Sequence, residues 1–179
     1  RFYFPALLIP SLPLFWSGPS LSNFFYQDHP FSFYTRSPSS LFHFATHGLL
    51  NENKGIESAI ALAPSSTDDG LLSAEEIFDL ELNAELVVVS ACDTGQGDIT
   101  GDGVIGLSYS LISAKVPSVI VSLWSVPDAP TAELMTQFYQ NLDRTNDKAQ
   151  ALRQAMLDTI EKHPNPRDWA AFTLIGEAF

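Results

Sequence analysis

The sequence contains a single cysteine, Cys92, and this scarcity excludes several classes of protein. One cysteine forms no disulfide within the chain, so the sequence does not describe a small secreted domain held together by disulfides. It also supplies only one of the thiolates that a structural zinc site normally uses. We therefore expect a cytoplasmic protein in which Cys92 is either a small buried residue or a functional thiol.

Basic residues are also scarce: lysine and arginine together number 9, against 21 aspartates and glutamates, for a formal charge of −12. The sequence shows no cluster of Lys and Arg of the kind that binds phosphate, so we expect no nucleic-acid or membrane partner. Prolines interrupt the apolar stretch from Pro5 to Trp16, which is too short to cross a membrane. An acidic surface favours cationic partners or substrates, and it also aids solubility.

Residues 1–40 differ in composition from the rest of the chain. They hold six prolines, seven phenylalanines and eight serines, and the prolines interrupt any helix or strand. We predict that they form an atypical extension and that residues 41–179 form the folded domain. Three interpretations of the extension stay open: a poorly ordered segment, a truncated or mistranslated one, or a degenerate replacement for core strands.

From residue 41 onward, short apolar runs alternate with helical patterns. Ser73 followed by Glu76 is typical of a capping box that opens a short helix, and Asp128 and Asp147 are predicted to cap two longer helices. Strands that alternate with helices predict an α/β fold, with a mostly parallel sheet and helices on both faces. The predicted strands are 41–45, 58–63, 86–90, 119–123 and 170–175, and the predicted helices are 74–80, 104–114, 128–142 and 149–161.

His47 and Cys92 each follow a predicted parallel strand by two residues, although 45 positions separate them in sequence. Ligands of open parallel sheets bind outside the carboxyl ends of the strands, so both residues are expected at one edge of one sheet. A cysteine thiolate is a nucleophile, and a neighbouring imidazole can take its proton or hold it as an ion pair. The pair therefore predicts a catalytic dyad, in which the amides of Gly48 and Cys92 bind a developing oxyanion.

These segments also allow other interpretations. A histidine after a strand is often a capping or core residue, and His43 is expected to be one. The glycine-rich loop after Cys92 lacks the GK[ST] of a phosphate loop, and its aspartates would repel phosphate. The spacing of Asp93, Asp98 and Asp102 fits no EF-hand, so we expect no metal.

Four segments, taken in order, resemble the CHAT domain, the caspase-like domain often found beside tetratricopeptide repeats in bacterial proteins. The segments are FATHGLLNE, GLLSAEEIFDLELNAELVVVSACDTGQGDITGDGVIGL, VIVSLWSVPDAPTAELMTQFYQNL and WAAFTLIG. The resemblance implies a caspase-like three-layer sandwich whose first strands, in residues 1–40, are missing or degenerate. It also implies a cysteine endopeptidase with His47 and Cys92 as its dyad, no third catalytic residue and no cofactor.

The segment from Leu123 to Asp128 is similar to the Leu-Trp-x-Val-x-Asp stretch of separases. This resemblance implies that Asp128 helps to receive a basic P1 side chain of a protein or peptide substrate. Trp124 and Asp93 are further candidate substrate-binding residues. The family also implies regulation by an adjoining tetratricopeptide repeat domain or another partner. Two alternatives stay open: a catalytically inactive interaction module of a larger signalling protein, and an incomplete fragment.

Overall fold

A computed structural model describes residues 41–49, 55–66, 68–82, 84–90 and 101–179, with backbone alone for residues 101–105. Strands and helices alternate along this part of the chain, as the apolar pattern predicts. The strands are β1 (Leu41–Phe44), β2 (His47–Leu49), β3 (Ala59–Ala61), β4 (Leu71–Ser73), β5 (Leu86–Val89), β6 (Ser118–Ser122) and β7 (Phe172–Gly176). The helices are α1 (Ala74–Phe78), α2 (Gly101–Ser113), α3 (Asp128–Thr145) and α4 (Lys148–Lys162), with short 3-10 turns at Gly55–Glu57 and Pro166–Asp168.

The main sheet has the strand order β1-β5-β6-β7. The strands β1, β5 and β6 are parallel, and β7 pairs with β6 in the antiparallel direction. A second, smaller sheet is antiparallel and has the order β2-β3-β4. The structure therefore confirms the expected α/β class with a mostly parallel sheet, and it is consistent with a caspase-like sandwich.

Two apolar cores cover the two faces of the main sheet. Side chains alternate between the faces of a strand, so neighbouring valines of β5 enter different cores. Val87 and Val89 pack with residues of α1 and α2, whereas Val88 packs with residues of α3 and α4. Strands β5 and β6 are buried along their whole length, which explains why they are apolar throughout rather than alternating.

Local contacts set several helix ends where the sequence predicts them. The Ser73 hydroxyl accepts a hydrogen bond from the Glu76 amide, and the Glu76 carboxylate accepts one from the Ser73 amide, which confirms the capping box. The Asp147 carboxylate accepts a hydrogen bond from the Gln150 amide at 2.8 Å and caps α4. The predicted helices and main-sheet strands all form, and their bounds differ from the prediction by a few residues.

The expected capping role of Asp128 is wrong. Pro127 is the N-cap of α3, with an extended backbone at φ −58° and ψ 147°, and Asp128 is the first helical residue. A capping side chain must stand on the non-helical residue that precedes the helix, and proline has no side-chain oxygen to offer. Asp128 still lies in the first turn, where a carboxylate interacts favourably with the helix dipole.

Candidate functional site

The carboxyl ends of three parallel strands lie level with one another at one edge of the main sheet. Phe44 at the end of β1 is paired with Val89 at the end of β5, and Val89 is paired with Val121 near the end of β6. The Ser90 amide continues the ladder and donates to the Phe44 carbonyl oxygen at 3.1 Å. The segments that follow these strands therefore leave the sheet at the same edge.

His47 lies at this edge, three residues after the end of β1. It begins β2, where it is paired with Ala61 of β3, and its side chain is exposed. The Thr46 hydroxyl donates to the Ala61 carbonyl oxygen and so ties the bend between β1 and β2 to the second sheet. The apolar pattern does not predict this short strand, which begins at His47. The backbone of this residue is consequently held by β3.

Gly48 is buried and lies opposite Ile60, which is fully buried. It is the residue expected to supply one of two oxyanion-binding amides. Cys92 and Asp93 belong to residues 91–100, which lie outside the described residues. The distance from the His47 ring to the Cys92 sulfur, the second oxyanion amide and the binding role of Asp93 therefore stay predictions.

A polar network joins β1, β5 and α3 directly below the carboxyl edge. The His43 ring contacts the Ser90 hydroxyl through Nε2 at 2.7 Å and the Tyr139 hydroxyl through Nδ1 at 2.9 Å. Burial lowers the pKa of His43 from 6.5 to about 4, and burial also raises the pKa of Tyr139. His43 is therefore neutral at physiological pH, with one ring nitrogen that donates and one that accepts.

The sequence predicted that His43 is a core or capping residue, and its contacts agree with a core role. It did not reveal the partners, because Ser90 is 47 residues away and Tyr139 is 96 residues away. One signal could have found Ser90: it directly follows the strand that pairs with β1, on the face of Val88, which lies opposite His43. No comparable signal marks Tyr139.

Trp124 and Asp128 follow the end of β6, so both belong to the same edge of the main sheet as His47. The Trp124 ring is partly buried against the core that α3 and α4 share, and its Nε1–H donates to the Arg167 carbonyl oxygen at 3.0 Å. The Asp128 carboxylate is exposed and caps no helix. Asp128 thus takes no part in helix capping, whereas the indole N–H of Trp124 is already hydrogen-bonded within the fold.

Among the described residues, no three histidine, aspartate or glutamate side chains come together in a way that could hold a metal ion. Within the same part of the chain, no helix has the length and apolar character needed to cross a membrane. The chemistry that the described edge offers is that of an exposed imidazole, a carboxylate and an aromatic ring.

The family model of the CHAT domain matches residues 30–177, which is more than half of the chain. Tetratricopeptide repeat protein 28 of Mus musculus is 34% identical over 108 residues, and the same-named protein of Homo sapiens is 35% identical over 108 residues. Each match covers 59% of this chain and 4% of the relative, so the chain spans a small part of the length of these proteins.

Proposed function

Because the chain belongs to the CHAT domain family, which is related to the caspase-like cysteine peptidases, we propose that it is a cysteine endopeptidase with His47 and Cys92 as its dyad. The observation that carries the proposal is the level arrangement of β1 and β5. Their paired ends, Phe44 and Val89, each precede one member of the dyad by three residues. The exposed His47 side chain supports the proposal further, since a catalytic base must be accessible to substrate.

In the proposed mechanism, the acyl group of the substrate is transferred first to the Cys92 sulfur and then to water. The His47 imidazole takes the proton of the Cys92 thiol, and the thiolate attacks the scissile carbonyl carbon. The amides of Gly48 and Cys92 bind the negative oxygen of the tetrahedral intermediate. The imidazolium then protonates the leaving amine, which departs as the acyl-enzyme forms. Water, deprotonated by His47, attacks the thioester and releases the acid, and Cys92 is restored.

A basic P1 residue is the proposed substrate preference. Asp128 is an exposed carboxylate that follows β6 at the edge of the dyad, and its charge is opposite to that of Arg or Lys. Trp124 stands four residues before it, and its partly buried ring offers an apolar wall for the aliphatic part of a long basic side chain. Asp93, next to the proposed nucleophile, would add a second negative charge for the same side chain.

Control of the peptidase by an adjoining repeat domain belongs to the same proposal. The two relatives are named for tetratricopeptide repeats, and the match spans only 4% of each. Helical repeats stack into concave surfaces that bind other proteins, so such an array could present substrates or restrain the catalytic domain. A cytoplasmic location completes the proposal, because a free nucleophilic thiol is retained in a reducing compartment.

Cleavage of peptides with Arg at P1 tests the dyad. Cys92→Ala and His47→Ala should each lower kcat by at least about 1,000-fold, the scale seen when members of a catalytic unit are removed. His163→Ala is the matched control for removal of an imidazole, because His163 lies at the end of α4 and contacts Glu133 of α3. Equal cleavage by the unchanged protein and by Cys92→Ala would overturn the dyad.

A second candidate function is a non-catalytic interaction module with the CHAT fold. It is favoured by the relatives, which are named for tetratricopeptide repeats, because arrays of helical repeats form concave surfaces that bind other proteins. Alkylation by iodoacetamide separates the two functions. An activated thiolate reacts well below pH 8.5, the usual pKa of a free thiol, whereas a structural cysteine does not. A cooperatively folded protein whose Cys92 reacts only above pH 8 would support the interaction module.

A further inference from the structure

His43 contacts all three elements that lead to the candidate site. It belongs to β1, which leads to His47 four residues later. It contacts Ser90, the residue that follows β5 and precedes Cys92 by two positions. It also contacts Tyr139 of α3, the helix that begins with Asp128.

The contacts of His43 exclude it as the base of the dyad. Both ring nitrogens are engaged, and the ring is packed at 5.7 Å from the Tyr139 ring, measured between ring centres. Either tautomer of the neutral ring is satisfied, because each hydroxyl partner can donate or accept. The ring is partly buried, and its two contacts leave neither ring nitrogen available to a thiol or a substrate. A role for His43 must therefore act through another residue.

We propose that His43 is a positioning residue for the peptidase site: through its hydrogen bond to Ser90 it fixes where the chain leaves β5 relative to His47. This inference rests on the proposed function. The Ser90 side chain is buried, so water does not readily replace a lost partner. Tyr139 holds the other side of the ring and prevents it from turning away from Ser90. Catalytic groups are sensitive to such support, because a displacement of about 1 Å can lower a rate about 100-fold.

Two substitutions of His43 separate positioning from general stability. The amide of asparagine is attached at Cγ, as Nδ1 is, so His43→Asn keeps a group for Tyr139 and loses the contact with Ser90. The amide of glutamine lies one bond further, at the place of Nε2, so His43→Gln keeps a group for Ser90 and loses the contact with Tyr139. Each variant loses one hydrogen bond of this partly buried ring, and asparagine is one methylene group smaller than glutamine. Ser90→Ala and Ser90→Thr form a second pair, which removes or keeps the hydroxyl.

The measurements are kcat for an Arg-P1 peptide, the rate of Cys92 alkylation at pH 7, and the melting temperature. We expect His43→Asn and Ser90→Ala to lower kcat by about 10- to 100-fold with little change in KM, and to slow alkylation. His43→Gln and Ser90→Thr should retain most of both rates. The melting temperatures should not separate the two slow variants from the two that retain their rates. Equal losses in the Asn and Gln variants, or no loss in His43→Asn, would overturn the positioning role.

A failure of the proposed function gives a different result. In that case the unchanged protein neither cleaves peptides nor reacts faster than a free thiol. Amide hydrogen exchange of the peptide that covers residues 86–100 then decides the inference. Faster exchange in His43→Asn and Ser90→Ala than in His43→Gln supports positioning of this segment by His43, and equal exchange in all three overturns it.

Discussion

Replacement of His43 by glutamine should remove a measurable part of the acid sensitivity of the fold. The His43 ring is partly buried against Tyr139 and Ser90, and this burial lowers its pKa from 6.5 to about 4. The unfolded chain therefore binds a proton at His43 between pH 6.5 and pH 4, whereas the folded chain does not. Stability contributed by the neutral ring is present above pH 6.5 and is lost as the pH falls through this window.

The size of the effect follows from the shift in pKa. Each pKa unit corresponds to about 1.4 kcal/mol, so lowering the pH from 8 to 5 costs the folded protein about 2 kcal/mol through His43 alone. The range should stop at pH 5, because the protein approaches its isoelectric point of about 4.4 below that value. Carboxylates also titrate in this region, but their contribution is common to the unchanged protein and the variant and disappears from the difference.

Urea unfolding at pH 8 and at pH 5 measures this difference, with the free energy extrapolated to water. Between pH 8 and pH 5 the unchanged protein should lose about 2 kcal/mol more free energy of unfolding than His43→Gln does. Tyr139→Phe is the control: it removes the hydroxyl but keeps the ring buried, so its acid sensitivity should match that of the unchanged protein. A gap that is the same at both pH values would refute the reasoning.

Four further substitutions test the site and its supports. Asp128→Asn should lower kcat/KM for Arg-P1 peptides about tenfold. Because Asp128 is exposed, the free energy of unfolding should change by less than about 1 kcal/mol. Undiminished preference for Arg in peptide assays would exclude the pocket role. Ser73→Ala should cost about 1 kcal/mol in urea unfolding through loss of the capping box, and a cost near zero would contradict it. Gly176→Ala should cost at least about 2 kcal/mol, because φ is +102° and a Cβ would lie 2.1 Å from the Pro117 oxygen; an unchanged melting temperature would be incompatible with this contact. Phe138 is fully buried, so Phe138→Ala should lower the free energy of unfolding by about 3–5 kcal/mol. A loss below about 1 kcal/mol in urea unfolding would contradict this expectation.

Apolar patterning was sufficient to predict the main sheet and its helices. Val87, Val88 and Val119 are fully buried, as runs of apolar β-branched residues indicate for strands covered on both faces. Capping chemistry was sufficient for the start of α1, because Ser73 and Glu76 are only three residues apart. The apolar runs and the capping box both depend on residues close together in the chain, so they can be recognised in a single sequence.

The apolar pattern of the sequence does not predict features that depend on contacts between distant residues. The strands β2 and β4 are three residues long each, too short to show a period, and they form through pairing with β3. The N-cap of α3 is predicted one residue late, because Asp128 has the side chain of a cap while Pro127 has the backbone of one. The shared edge of the candidate site was predictable from strand ends, whereas the His43 partners were not.

Apolar burial alone does not fix the register of β5, because both faces of this strand are apolar. A slip by one residue would exchange Val87 and Val88 between two cores that each accept a valine. The same slip would carry Ser90 to the opposite face of the sheet from the His43 ring and would break their 2.7 Å contact.

The register of the strands must therefore be specified by polar groups and close backbone contacts, because apolar burial is equally good in two registers. His43 and Ser90 provide such a contact between β1 and β5, and Gly176 provides another where β7 meets the chain before β6, at the Pro117 carbonyl oxygen. A half-satisfied buried hydroxyl or imidazole costs more free energy than a misplaced methyl group, so the polar pair discriminates between registers more strongly. The level ends of β1 and β5, on which the proposed dyad depends, follow from that discrimination.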